Sequence, residues 1–272
     1  MSIDVIDLSA FYKSSLGLIA HRYTERAINR FMPHVHGQRI LGLGHATPYL
    51  EKYREEAASV LAFMPATQGV VNWPSGAHSS SALIDPLTMP LADGSIDRVI
   101  LIHALEMVQS PSELLQEIWR ILTPGGRLVM ITPNRRGLWA RMDTTPFGHG
   151  QPFSRTQLKA LMREALFSPE SWAEILYVPP LDNRILLQTA SAWERFGSSF
   201  SLPFSVAGLH VVDATKQLYR PAISGNAQKS RRLRQVLMPA THSPVGFRRL
   251  RGNGLNKPVA RHSGRVNTIS LI

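Results

Sequence analysis

The chain has 272 residues, 44% of them hydrophobic, enough for one α/β domain with a sizeable core plus an appendage. It has no cysteine, which excludes disulfides, thiolate metal sites and a cysteine nucleophile. The formal net charge of +11 is unevenly placed: residues 1–220 hold 20 Lys/Arg against 19 Asp/Glu, and residues 221–272 hold ten Lys/Arg and no acidic residue. Two parts follow from that boundary, a nearly neutral body over 1–220 and a basic tail over 221–272. No run reaches the roughly 18 apolar residues of a membrane span, and the start Met1-Ser-Ile-Asp4 lacks the basic region of a secretory signal. A soluble, cytoplasmic protein is the expectation.

Ile6, Phe11, Leu16, Ile19, Tyr23, Ala27 and Phe31 recur at helical spacing, so residues 5–32 read as one helix closed by Pro33. Arg39-Ile-Leu-Gly-Leu-Gly44 reads as a strand running into a glycine turn. A helix is expected over His45–Ala58, with Pro48 tolerated in its first turn. Val60–Met64 is a second strand, ended by Pro65. Residues 65–84 are rich in Pro, Gly and Ser and read as loop, with one short strand near Ala82–Ile84.

Asp85 to Thr132 then runs loop, buried strand, loop, helix, tight turn and buried strand, a βαβ unit that implies a parallel sheet. Ser110-Pro-Ser-Glu113 reads as a capping box with Pro at the first helical position. Pro124-Gly-Gly126 makes the turn into strand Arg127–Thr132. Ser154-Arg-Thr-Gln157 is a second capping box, opening a helix to about Ala165. Ile185–Leu187 suit helix or strand equally. Gly208–Tyr219 reads as a strand at the sheet edge. The tail carries Lys229-Ser-Arg-Arg-Leu-Arg234 and Arg248-Arg-Leu-Arg251 between Gly, Pro, Asn and Ser, a composition that favours disorder.

The body resembles the class I S-adenosylmethionine-dependent methyltransferases of the broad small-molecule type 11 group, over roughly residues 35–135. The likeness rests on Ile40-Leu-Gly-Leu-Gly-His-Ala-Thr-Pro48, on Asp85 through Asp97, and on His103-Ala-Leu-Glu106 followed by a helix and Leu122-Thr-Pro-Gly-Gly126. It implies a Rossmann-like, doubly wound, mostly parallel sheet with S-adenosylmethionine at its strand ends. It places Gly42, Gly44, His45 and Ala46 at the cofactor turn and Met64 at the end of the second strand. Asp85, Pro86 and Leu87 fall at the adenine, and His103 and Ala104 beside the methyl donor. The sequence departs from the family at Gly42, where an acidic residue stands, at Ala46 and Pro48, where glycines stand, and at Met64-Pro65, where a carboxylate grips the ribose. Gln68 is a candidate for the ribose instead.

Each position has a plainer reading. Gly42 and Gly44 also suit a tight strand-to-helix turn, and Asp85 an Asx turn before Pro86. Asp97 caps or pairs locally. His103 is either a hydrogen-bonded core histidine or a general base, and His149 is the second candidate base. Glu106 is expected to face the adjoining loop. Arg135, Arg136, Trp139 and Arg141 follow the fifth strand and suit an acidic or phosphorylated acceptor, or a solvated loop. The histidines form no recognisable metal motif. A small-molecule acceptor is the expected partner. The tail suits nucleic acid or anionic membrane through charge alone, with no RNA-binding motif to support it, or reads as a nonspecific, purely solvated segment. The competing function is a non-catalytic relative that keeps the fold and binds a partner or another ligand.

Overall fold

The computed structural model describes residues 3–76, 78–181, 189, 193–194 and 207–219. The expectations for residues 221–272 and Ile185–Leu187 lie outside them. Helix α1 (Val5–Lys13) and helix α2 (Ser15–Phe31) lead into strand β1 (Arg39–Gly44) and a single turn, α3 (Thr47–Leu50). Strands β2 (Ser59–Pro65), β3 (Ser81–Ile84) and β4 (Ile96–Ile102) follow. Helix α4 (Pro111–Ile121), strand β5 (Leu122–Pro133), helix α5 (Arg155–Glu164) and strands β6 (Phe167–Ile175) and β7 (Leu209–Lys216) complete the body.

The seven strands lie in the order β3-β2-β1-β4-β5-β7-β6. The first five are parallel, and β7 runs antiparallel to both β5 and β6. Alternation within the central strands builds two cores. Ile40, Ile100, Ile102, Val129 and Ile131 face the side covered by α2 and α3. Leu41, Leu43, Val99, Leu101, Leu128 and Met130 face α4 and α5. Helices on both faces explain why these strands read as continuous apolar runs.

Four expectations need correction. The helix expected over 5–32 is two helices, because Ser14 is extended at φ −72°, ψ 161°. Its hydroxyl accepts from the Gly17 amide at 3.0 Å and so starts α2 afresh. The helix expected over 45–58 shrinks to α3 and a 3-10 turn at Glu51–Tyr53. The Ser110 side chain makes no capping bond, although Pro111 opens α4 as expected. The strand expected at the sheet edge, β7, is interior, and β6 forms that edge.

The Ser154–Gln157 capping box is formed in both directions. Ser154→Ala should therefore cost about 1 kcal/mol in urea denaturation, whereas Ser110→Ala should change stability by under about 0.5 kcal/mol. Equal losses would contradict the two cap geometries.

Candidate functional site

The strand order reverses at β1, which has β2 on one side and β4 on the other. Ligands of such sheets gather outside the carboxyl ends of the strands at this switch point. Here the ends of β1 and β4 are pressed together. Gly44 has φ +82°, and a Cβ on it would meet the Ile102 carbonyl oxygen at 2.1 Å. The His45 amide then donates to that same oxygen at 3.0 Å. A Cβ at Gly42 would meet Leu50 and Ala46 at 2.6 and 2.7 Å, so those side chains already fill the space of a longer residue.

Above the strand ends lies a buried cluster of rings. Tyr12, from α1, stacks on His45 at 5.2 Å between centroids and 16° between planes. Its hydroxyl is 2.8 Å from His103 Nε2. His103 follows β4 with φ 54°, a left-handed conformation uncommon for a side chain with a Cβ. On the far side of the ring, His103 Nδ1 is 3.4 Å from Glu106 Oε1. Phe147 packs against His103 at 4.9 Å, and His21 stacks on Tyr49 at 4.8 Å. The carbonyl of His103 accepts from the Gln68 side chain. The Gln68 carbonyl accepts from the Val5 amide at 2.8 Å, which ties α1 to the loop after β2.

This ground holds several polar atoms that are buried without a hydrogen bond: both Glu106 oxygens, His45 Nδ1, Tyr49 Oη and Thr24 Oγ1. Such groups usually find partners, and an unpaired one costs on the order of 1–3 kcal/mol, more when charged. Burial pushes the Tyr12 hydroxyl well above the ordinary tyrosine range. Burial, with help from His103 and His21, pushes His45 down to about 3.

The remaining positions are distributed around this cluster. Ala46 and Ala104 are buried at the ends of β1 and β4. Met64 is buried at the end of β2, where its sulfur accepts from the Val71 amide at 3.3 Å. Asp85 is exposed and accepts from the Leu87 amide at 2.9 Å, an Asx turn around Pro86. Asp97 lies at the opposite end of the sheet, paired with Arg39 at 3.0 Å. Arg135, Arg136 and Arg141 are exposed after β5. Trp139 is fully buried and donates its indole N–H to the Val178 carbonyl at 2.8 Å, a core position. His149 accompanies Ile3, Asp7, Phe11 and Thr145 around a groove of about 340 Å³. Phe11 meets Phe147 edge-on at 5.9 Å, so the two rings stand between that groove and His103. A second groove of about 730 Å³ runs along Glu25, Tyr49 and Lys52.

Three site residues go beyond the sequence reading. Tyr12 carries no local signal, since its partner His103 is 91 residues away. Glu106, expected to face a loop, is buried beside His103. Gln68 holds a backbone carbonyl. Among the described residues no group of His, Asp and Glu is placed to hold a metal ion, and no helix is long and apolar enough to cross a membrane.

Residues 41–130, which run from β1 to β5, match the family described as "Methyltransferase domain". That match spans about a third of the chain, and the strand order is that of the Rossmann-like class I methyltransferase fold. It is 27% identical over 157 residues to a demethylmenaquinone methyltransferase of Deinococcus radiodurans, covering 56% of this chain and 63% of that one. It is 32% identical over 84 residues to a probable S-adenosylmethionine-dependent methyltransferase of Mycolicibacterium smegmatis, covering 30% of this chain and 32% of that one. The chain therefore spans less than two thirds of the length of these relatives. In fold it is similar to a solved S-adenosylmethionine-dependent methyltransferase of Thermotoga maritima, described as a possible histamine N-methyltransferase. That likeness has a TM-score of 0.52 at 17% identity, covering 78% of this chain and 96% of that one.

Because His45 is held neutral, the unfolded chain takes up a proton near pH 6.5 that the folded chain takes up only near pH 3. Stability is full above pH 6.5 and is lost as pH falls through that window. His45→Gln should reduce the slope of stability against pH by about one proton, or roughly 1.4 kcal/mol per pH unit. Some acid limb should remain, because burial also holds His210 down at about 4. Urea denaturation between pH 4 and 7 reads both slopes. An unchanged slope would mean that His45 is solvated.

Proposed function

We propose that the chain binds S-adenosylmethionine over the ends of β1 and β4 and methylates a small or medium acceptor there. The observation that carries this reading is the overlap of the family match, residues 41–130, with the switch point between β1 and β4. The chemistry of the buried cluster supports it. A desolvated carboxylate at Glu106 and an unpaired nitrogen at His45 suit a cationic ligand rich in hydrogen-bonding groups. When bound, the donor supplies a methyl group already activated on a positively charged sulfur.

Gly42, Gly44, His45 and Ala46 would hold its amino-acid end. Met64, Asp85, Pro86 and Leu87 would hold the adenosine, and His103 and Ala104 would border the methyl group. The protein's remaining work is alignment and exclusion of water. His103 is the base for an acceptor whose proton must leave, with Nε2 as the receiving atom and Glu106 behind Nδ1. Glu106 holds the ring's orientation as carboxylates do behind other catalytic histidines. His149 borders the adjacent groove as a second candidate. Arg135, Arg136 and Arg141, exposed after β5, suit an acidic acceptor. The body over 1–220 is the catalytic unit in this reading, and the 221–272 tail is a separate basic segment with affinity for polyanions.

A non-catalytic binding role has one observation in its favour: Tyr12 fills the space between His45 and His103 and occupies His103 Nε2. Isothermal titration of the whole chain with S-adenosylhomocysteine, the demethylated product, decides between them. Micromolar binding is expected. Asp85→Asn preserves the Asx turn through its amide oxygen but loses the acceptor for the adenine amino group. It should weaken binding about tenfold. No binding at millimolar ligand would transfer the conclusion to the non-catalytic reading.

A further inference from the structure

Tyr12 shows what the slot above β1 and β4 accepts. Its ring lies flat on His45, edge-on to His103 at 5.8 Å and 70°, and edge-on to Tyr49 at 6.5 Å and 87°. Its hydroxyl reaches His103 Nε2 at 2.8 Å. Behind the imidazole stands Glu106, buried, with neither carboxylate oxygen hydrogen-bonded. A slot with aromatic walls and a histidine at its end is matched to a ring bearing an O–H group.

We propose that this slot is the acceptor site and that the acceptor is an aromatic hydroxyl compound, which takes the place of Tyr12. The inference rests on the methyltransferase reading and names its substrate class. An aliphatic alcohol would leave the face of His45 uncovered. A carboxylate would bring a second negative charge toward Glu106. The acceptor oxygen gains the methyl group as the sulfur–methyl bond breaks. Its proton passes to Nε2, and the donor's positive charge ends on the imidazolium beside Glu106. Helix α1 is nine residues long and ends at the extended Ser14. Phe11, next to Tyr12, separates the slot from the 340 Å³ groove together with Phe147. A shift of α1 moves Phe11 and Tyr12 together and joins groove to slot.

The test is titration of the whole chain with 2-naphthol and with 2-methoxynaphthalene, which has the same ring system and no hydroxyl proton, each with and without S-adenosylhomocysteine. The naphthol should bind at least about tenfold tighter than the ether. Tyr12→Phe should tighten both by about threefold or more, because the internal occupant loses its bond to His103. His103→Phe should abolish the preference for the hydroxyl. If that variant does not fold, nitrogen-15 NMR of labelled histidines in the wild type replaces it: the His103 Nε2 signal should move with naphthol and not with the ether. Equal affinities, no binding of either compound, a preference that survives His103→Phe, or an unmoved His103 signal overturns the proposal. S-adenosylhomocysteine binding without a hydroxyl preference sinks this inference alone. A hydroxyl preference without S-adenosylhomocysteine binding sinks the donor reading and leaves an aryl-hydroxyl binding slot.

Discussion

The contact between Gly44 and the Ile102 carbonyl sets the geometry of everything above it. Only a residue without a Cβ, in the left-handed region, lets β1 end so close to β4. That closeness brings His45 and His103 to one ledge, 6.4 Å apart between ring centroids. Tyr12 then bridges them from above. The same contact explains the unusual turn. With Leu50 and Ala46 packed over Gly42, the strand end is closed by apolar side chains. A buried carboxyl group stands near the switch point at Glu106, beyond the end of β4.

The cluster is polar, buried and incompletely paired, an arrangement that lowers stability in the absence of a ligand. Its neutral histidine and its high-pKa tyrosine disfavour a change of charge without a partner, and the Glu106 oxygens lack a hydrogen bond. A ligand that satisfies those atoms gains binding energy from the penalties already present. The rest of the body is conventional in its packing, with two apolar layers against one sheet. Unsatisfied groups and the left-handed His103 lie where the switch point predicts a ligand, and others lie along β6 and β7, at Trp172 and His210.

How much of this was legible in the sequence depended on the range of the contact. The βαβ unit from Asp85 to Thr132 could be read because its signals are local: an apolar run, Pro111 at the first helical turn, and Gly125 at φ 73° where the chain turns. The break at Ser14 had a signal, a serine three residues before the Gly17 amide, but the apolar spacing ran straight across it. Strand β6 had little signal. It carries Pro169 and exposes its middle as an edge strand does, so its sequence alternates poorly. β7 looked like an edge strand but is buried along nearly its whole length between β5 and β6. In the buried cluster, Gly44, His45 and His103 stand in the segments that carry the family resemblance. Tyr12 could not be named, because nothing local marks which face of α1 meets a residue 91 positions away. Trp139 was read as a site residue from its place after β5, and its indole instead anchors the core through Val178.

The central claim is that a donor binds over the ends of β1 and β4. Hydrogen–deuterium exchange with and without saturating S-adenosylhomocysteine tests it most directly. The account predicts added protection at 44–46 and 103–106. Protection confined to the groove along Glu25 and Lys52, or no change at 44–46 and 103–106, would contradict it.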